Sequence, residues 1–161
     1  MIRYCPHCWV ENAYEAQTCT ACGASLAETG KDFTDRLMDA IGHPEPTRAV
    51  IAAEILGRLG AERAVPPLLV RLARQPDSMD VTTAVAHTLG LLGALPAVPG
   101  LAVVLLDGTR PLPARLAAAE ALAAIGGPAA QQALADAAAL AQLPHLLRRV
   151  IHTTQEAAEN R

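Results

Sequence analysis

Ala52-Ala53-Glu54-Ile55-Leu56-Gly57-Arg58-Leu59-Gly60 returns 33 residues later as Val85-Ala86-His87-Thr88-Leu89-Gly90-Leu91-Leu92-Gly93, and 33 residues after that as Ala118-Ala119-Glu120-Ala121-Leu122-Ala123-Ala124-Ile125-Gly126. Leu56, Leu89 and Leu122 fall in register, as do Leu59, Leu92 and Ile125, and so do the three closing glycines. Further on, Ala64, Ala97 and Ala130 align, followed by Leu68, Leu101 and Leu134. Each copy reads as a helix, a glycine stop, a short turn and a second helix. Gly60, Gly93 and Gly126 stand where a helix end calls for a left-handed residue. Pro66, Pro99 and Pro128 lie near the starts of second helices, where a missing N–H costs little. Gly57, Gly90 and Ala123 form a column of small residues that predicts close approach of neighbouring helices. A period of this length is that of units which bury their apolar faces by stacking on one another.

Composition agrees. Hydrophobic residues make up 52% of the 161, aromatics only 2%, and 34 residues are alanine. A core of Ala, Leu, Val and Ile favours closely packed helices over a β-sandwich or barrel. Charged residues, at 18%, are too few and apolar ones too many for a disordered chain. A net charge of −3 excludes a general nucleic-acid coat. The basic residues are one lysine, Lys31, and twelve arginines, a bias that carries no function.

The repeats resemble the short HEAT-like class named after phycobilisome lyases, which reads roughly V-R-x-x-A-A-E-A-L-G-x-L-G. Arg115 to Gly126 is the nearest match, the middle copy is the loosest, and the resemblance covers about residues 45–141. It implies an all-α fold: a right-handed α-solenoid of about three helix pairs. Asp32 to Ile41, with Phe33, Leu37 and Ile41 on one face, predicts an N-terminal capping helix over 32–42. Leu146, Leu147, Val150 and Ile151 share a face of a second cap over 144–158, where Gln155 replaces the core leucine of repeat three. The solenoid is thus expected over 32–161, after a linker at 28–31. Proteins with such repeats include scaffolds, adaptors and some enzymes, so the likeness speaks to fold more than function. The His-Glu dipeptides of the HEAT-like deoxyhypusine hydroxylases are absent, and the phycobilin lyases are longer. The basic groove of glycosylase-like relatives has only Arg71 and Arg74 as counterparts, in one second helix.

All four cysteines lie ahead of the solenoid, as Cys5-Pro6-His7-Cys8 and Cys19-Thr20-Ala21-Cys22. Two C-x-x-C turns place four thiolates around one Zn²⁺, and a segment with so few apolar residues needs such a staple. Disulfides or free thiols are the alternatives. The chain opens without a signal-like apolar stretch, which points to reducing cytoplasm and therefore to metal. The ribbon is expected over residues 1–27, and about residues 3–27 of it resemble the short zinc ribbons at the N-termini of many bacterial proteins: C-P-x-C-G, an Asn four residues on, then C-x-x-C-G-x-x-L. Asn12, Gly23 and Leu26 fit this pattern. Trp9 departs from it by standing where the first knuckle has Gly, which predicts either a differently shaped knuckle or a placed aromatic contact. Four sulfurs saturate the ion, so the zinc is structural and a catalytic role is excluded. His7 is expected to point outward. Arg3 against Glu11, Glu15 and Glu28 leaves the ribbon without a basic patch for a phosphate backbone.

From residue 81 to residue 106 no charge occurs. Hydropathy alone would allow a membrane span here, but Gly90, Gly93, Pro96, Pro99 and Gly100, and a register shared with charged copies, favour a repeat outside the membrane. In register, Leu91 replaces Arg58, Leu95 replaces Glu62 and Val104 replaces Arg71. If the charged positions face water, these three, with Trp9, are the candidate protein-docking residues, Val104 foremost. Glu54, His87 and Glu120 also align, but they would sit on helices about 10 Å apart, and Glu54 has Arg58 four residues on as a surface partner. The expected function is that of a non-catalytic, protein-binding adaptor. Two alternatives are an accessory subunit of a lyase-like enzyme and nucleic-acid binding through the ribbon.

Overall fold

The computed structural model describes residues 1–27 and 30–159. A two-stranded antiparallel hairpin comes first, β1 (Ile2–Tyr4) against β2 (Glu11–Ala13), with Arg3 opposite Asn12. Eight α-helices follow among the described residues: α1 (Phe33–Ile41), α2 (Pro46–Arg58), α3 (Val65–Leu72), α4 (Met79–Leu91), α5 (Val98–Leu106), α6 (Leu112–Ile125), α7 (Pro128–Ala138) and α8 (His145–Glu159). Helices α2, α4, α6 and α8 pack in succession as one layer, and α3, α5 and α7 as the other. The cap α1 lies against α2 and α3.

The repeat register holds in the fold. Leu56, Leu89 and Leu122 are fully buried, and so are Leu68 and Leu101, with Leu134 nearly so. Each such leucine contributes about 1.5–3 kcal/mol on leaving water. Gly60, Gly93 and Gly126 have φ of 61°, 57° and 70°. The first two close Schellman motifs: Ala61 N–H donates to Leu56 O and Gly60 N–H to Gly57 O, and Ala94 and Gly93 repeat the pattern on Leu89 and Gly90. The third corner is tighter. Gly126 and Gly127 both take positive φ, and α7 starts at Pro128, where the other copies form a 3-10 turn (Glu62–Ala64, Leu95–Ala97).

The column of small residues is a line of contact. A Cβ on Gly90 would lie 2.8 Å from Ala121 Cα, so α4 and α6 meet at backbone distance. Beside it, Thr88 Oγ1 donates to Ala53 O at 3.0 Å and ties α4 to α2.

One column differs from its expected placement. Arg71 is not at the surface: it is 4% exposed. Its Nε and one terminal nitrogen donate to Asp77 at 2.6 and 2.9 Å, and the other donates to Ile41 O and His43 O at 2.8 and 3.0 Å. The guanidinium therefore satisfies carbonyls at the end of α1 and holds the carboxylate that precedes α4, the geometry a buried arginine requires. Its register mates Val104 and Ala137 are buried too, at 1% and 0%. The sequence-based assignment of Val104 to a docking surface is therefore corrected: a charge at this position in repeat one marks a buried ion pair, not a wet face. Glu54 does pair with Arg58, at 3.8 Å on the exposed side of α2.

Candidate metal centre and its seat on the solenoid

Both cysteine knuckles are built alike. Cys5 N–H donates to Val10 O, and Trp9 N–H to Cys5 O, at 3.0 and 2.8 Å. Cys19 and Gly23 repeat these bonds with Ala24 O and Cys19 O, at 2.8 and 3.0 Å. Gly23 turns with φ 70° and Trp9 with φ 59°. The tryptophan thus holds the left-handed position that the second knuckle gives to glycine, a strain on the order of 1–2 kcal/mol for a residue with a Cβ. Of the two readings of Trp9, the structure shows an unchanged knuckle and a placed aromatic contact.

Asn12 stitches the knuckles together. Its amide donates to Val10 O at 2.8 Å and lies 3.7 Å from Cys19 Sγ, while its carbonyl accepts from Thr20 N–H at 2.9 Å. The four Sγ atoms of Cys5, Cys8, Cys19 and Cys22 all lie within 4.8 Å of one another. Cys5 and Cys22 are 3.7 Å apart and Cys8 and Cys19 3.5 Å, all unbonded as disulfides. A tetrahedron of about 2.3 Å metal–sulfur bonds has edges of about 3.8 Å, so the cluster fits one ion.

Its proton chemistry fits as well. Backbone N–H groups, that of Cys22 first, lower the Cys19 thiol to about 6. At Cys8 the Val10 N–H favours the thiolate, but desolvation and the neighbouring sulfurs outweigh it and push the thiol up to about 12. Cys22 is raised as well: the Ala24 N–H works toward its thiolate but is outweighed by desolvation and the sulfurs of Cys19 and Cys5. Four sulfurs this close carry more than one negative charge only if a cation shares it. Among the described residues, this is the one group of three or more metal-ligating side chains.

The ribbon is seated on the solenoid. His43, just beyond α1, is 4% exposed under two rings from the ribbon. Tyr4 meets it edge-on at 4.8 Å and Trp9 at 5.0 Å. Trp9 also lies over Gly42, whose added Cβ would come 2.4 Å from the indole nitrogen. His43 Nδ1 accepts the Glu45 N–H at 2.9 Å, and its carbonyl accepts from Arg71. Burial, with Arg48 nearby, lowers the His43 pKa, so the imidazole stays neutral. Rings, imidazole, Arg71 and Asp77 thus form one chain of contacts from the ribbon to the start of α4. Lys31 adds an ion pair with Asp39 of α1. Two residues of the expected linker, Glu28 and Thr29, lie outside the described residues.

Of the proposed docking residues, Leu91 and Leu95 are 58% and 66% exposed, at the end of α4 and the turn that follows. Val104 faces the core and Trp9 the seam. Sequence reasoning passed over Val103, which is 59% exposed, and its register mate Val70. The third member of that column, the exposed Asp136, was the available signal.

A two-layer stack of helix pairs with a 33-residue register is a HEAT-type α-solenoid. The family model for the PBS lyase HEAT-like repeat matches residues 49–73 and 114–139, the first and third copies. The chain carries HEAT-like repeats behind a four-cysteine cluster. No curated protein matches it. No helix among the described residues is long and apolar enough to cross a membrane.

Proposed function

We propose that this protein is a non-catalytic scaffold that binds another protein, working in the cytoplasm, with one structural Zn²⁺ in the ribbon. The observation that carries this reading is the dressing of the middle repeat. Where the first repeat presents Arg58 and Glu62, it presents exposed Leu91 and Leu95 on a charge-free stretch. Apolar side chains grouped this way at the edge of a solenoid suit a partner's apolar surface. An all-sulfur donor set of tetrahedral size suits zinc, and a saturated ion leaves no place for a reacting water. The ribbon's Arg3 is turned inward onto Leu26 O, which takes the cation away from any phosphate backbone.

The test is affinity capture from the native host with wild type and a Leu91→Asp/Leu95→Asp variant, fold checked by circular dichroism. We expect a stoichiometric protein partner whose affinity falls ten-fold or more in the variant. Undiminished binding would place the site elsewhere. A preparation loaded with a chromophore would instead favour the lyase-accessory role.

A further inference from the structure

Between the ribbon and α1 lies a cleft of about 660 Å³, within the usual range for small-ligand sites. Its charge runs against that of the chain. The protein carries −3 overall, yet four cations, Arg3, Lys31, Arg36 and Arg48, line this one space, with Asp39 the one carboxylate among its described lining residues. Two of the four are committed: Arg3 to Leu26 O and Lys31 to Asp39. Arg48 holds Glu45 loosely, at 3.5 Å through Nε, and is 64% exposed. Arg36, exposed on α1, has no ion-pair partner among the described residues. The ribbon adds the apolar and aromatic Ile2, Pro6 and Trp9 to the lining, while Arg36 comes from α1 and Arg48 from α2. The indole N–H of Trp9 has no hydrogen-bond acceptor among the described residues. Apolar and aromatic side chains sharing a cleft with one unpaired and one loosely paired guanidinium are the ingredients that recognise a ring carrying an anionic group.

We propose that this cleft binds a small organic anion, a carboxylate or phosphate monoester on a planar apolar body, with the anionic group on Arg36 and Arg48 and the body against Trp9. This site is separate from the Leu91–Leu95 edge and does not depend on that edge binding a protein.

Trp9 is the single tryptophan of the chain, so its emission reports on the cleft directly. The full-length metal-loaded protein is titrated with phenyl phosphate, benzoate and inorganic phosphate while Trp9 emission is followed. Saturable change is expected with phenyl phosphate or benzoate at micromolar to low millimolar concentration, and the stronger of the two names the head group. Inorganic phosphate should bind at least ten-fold more weakly. Arg36→Ala and Arg48→Ala should each weaken binding at least five-fold, while Arg74→Ala, which does not line the cleft, should leave it unchanged. Two results would overturn the proposal: no saturation by either aromatic anion up to 10 mM, or equal binding by wild type and the Arg36→Ala variant. Steeply salt-dependent binding of a single-stranded oligonucleotide, with no response to phenyl phosphate, would also overturn it, in favour of a nucleic-acid face.

Discussion

Gly90 and Gly57 occupy the same register position yet face different neighbours, and the difference has opposite consequences for alanine. At Gly90 a Cβ would stand 2.8 Å from Ala121 Cα and 3.0 Å from its Cβ, both on the rigid backbone of α6. Alanine gains about 1 kcal/mol of helix propensity there, but separating two packed helices costs typically 1–3 kcal/mol. We expect Gly90→Ala to lower stability by up to about 2 kcal/mol in denaturant unfolding. At Gly57 the contacts are looser and no backbone is among them: the exposed Leu91 Cδ1 at 3.3 Å can turn away, and the buried Thr88 Cγ2 at 3.2 Å needs to give by only a few tenths of an ångström. Gly57→Ala should stay within about 0.5 kcal/mol of wild type, because propensity and crowding nearly offset there. If the two variants were equally stable, the close approach of α4 and α6 would be wrong. His43 carries a second prediction at this scale. Burial depresses its pKa below the ordinary 6.5, so between the two values the unfolded chain binds the extra proton and the folded chain does not. Stability is therefore lost as pH falls from about 6.5 through the folded value. By NMR the imidazole should titrate below 6.5 in the folded protein, and a midpoint at or above that figure would contradict its seat beneath Tyr4 and Trp9. Neither the seat nor the glycine contrast was legible in the sequence. Both depend on which atoms a neighbouring element brings close, and Trp9 and His43 are 34 positions apart with no motif joining them.

At the scale of the element, helix existence was legible because the 33-residue period fixes which positions repeat, and facing was legible in two of the three aliphatic columns. The Leu56 and Leu68 columns went inward, whereas Leu59, at the head of the third, is 55% exposed where α2 ends. The Arg71, Val104 and Ala137 column was misread because one charged member was taken as proof of exposure, although an arginine with a carboxylate and two carbonyls in reach is stable inside. Residues 103 and 104 now give a sharp contrast on one helix. Val104→Arg puts a charge without partners into the core of α5 and should destabilise by about 3 kcal/mol or more. Val103→Arg lies on the exposed side of the same turn and should change stability by less than about 0.5 kcal/mol. Thermal unfolding of the two variants measures this directly. A folded, stable Val104→Arg protein would show that α5 is rotated from the orientation described.

For the whole molecule, the solenoid's architecture followed from its register and the gathering of four sulfurs from cysteine spacing, but the joining of the two parts did not. The ribbon's own buried cluster is only Cys5, Cys19 and Leu26, whereas the solenoid has a continuous core running from Ile41 to Ile151. A core of three small or middle-sized side chains does not hold a fold without its ion, while the solenoid's does. Removal of metal by a chelator at pH 7.5 should therefore unfold residues 1–27 and leave far-ultraviolet helicity nearly intact. Trp9 would leave Gly42 and His43, so its emission should shift to the red. Freed of its contacts on α1, the solenoid should melt a few degrees lower, as expected for a loss on the order of 1 kcal/mol. Acid should act in the same direction, because the ion needs thiolates and protons compete for them. With Cys19 near 6 and Cys8 near 12 in the free cluster, affinity for the metal should fall continuously from pH 7.5 downward, and most steeply once Cys19 also protonates below about 6. Chelation at constant pH separates this from the titration of His43. Wholesale loss of helicity on chelation would mean that the ribbon is a folding part of the solenoid and not a cap seated on it. An unmoved Trp9 emission would mean that the knuckles keep their shape without an ion.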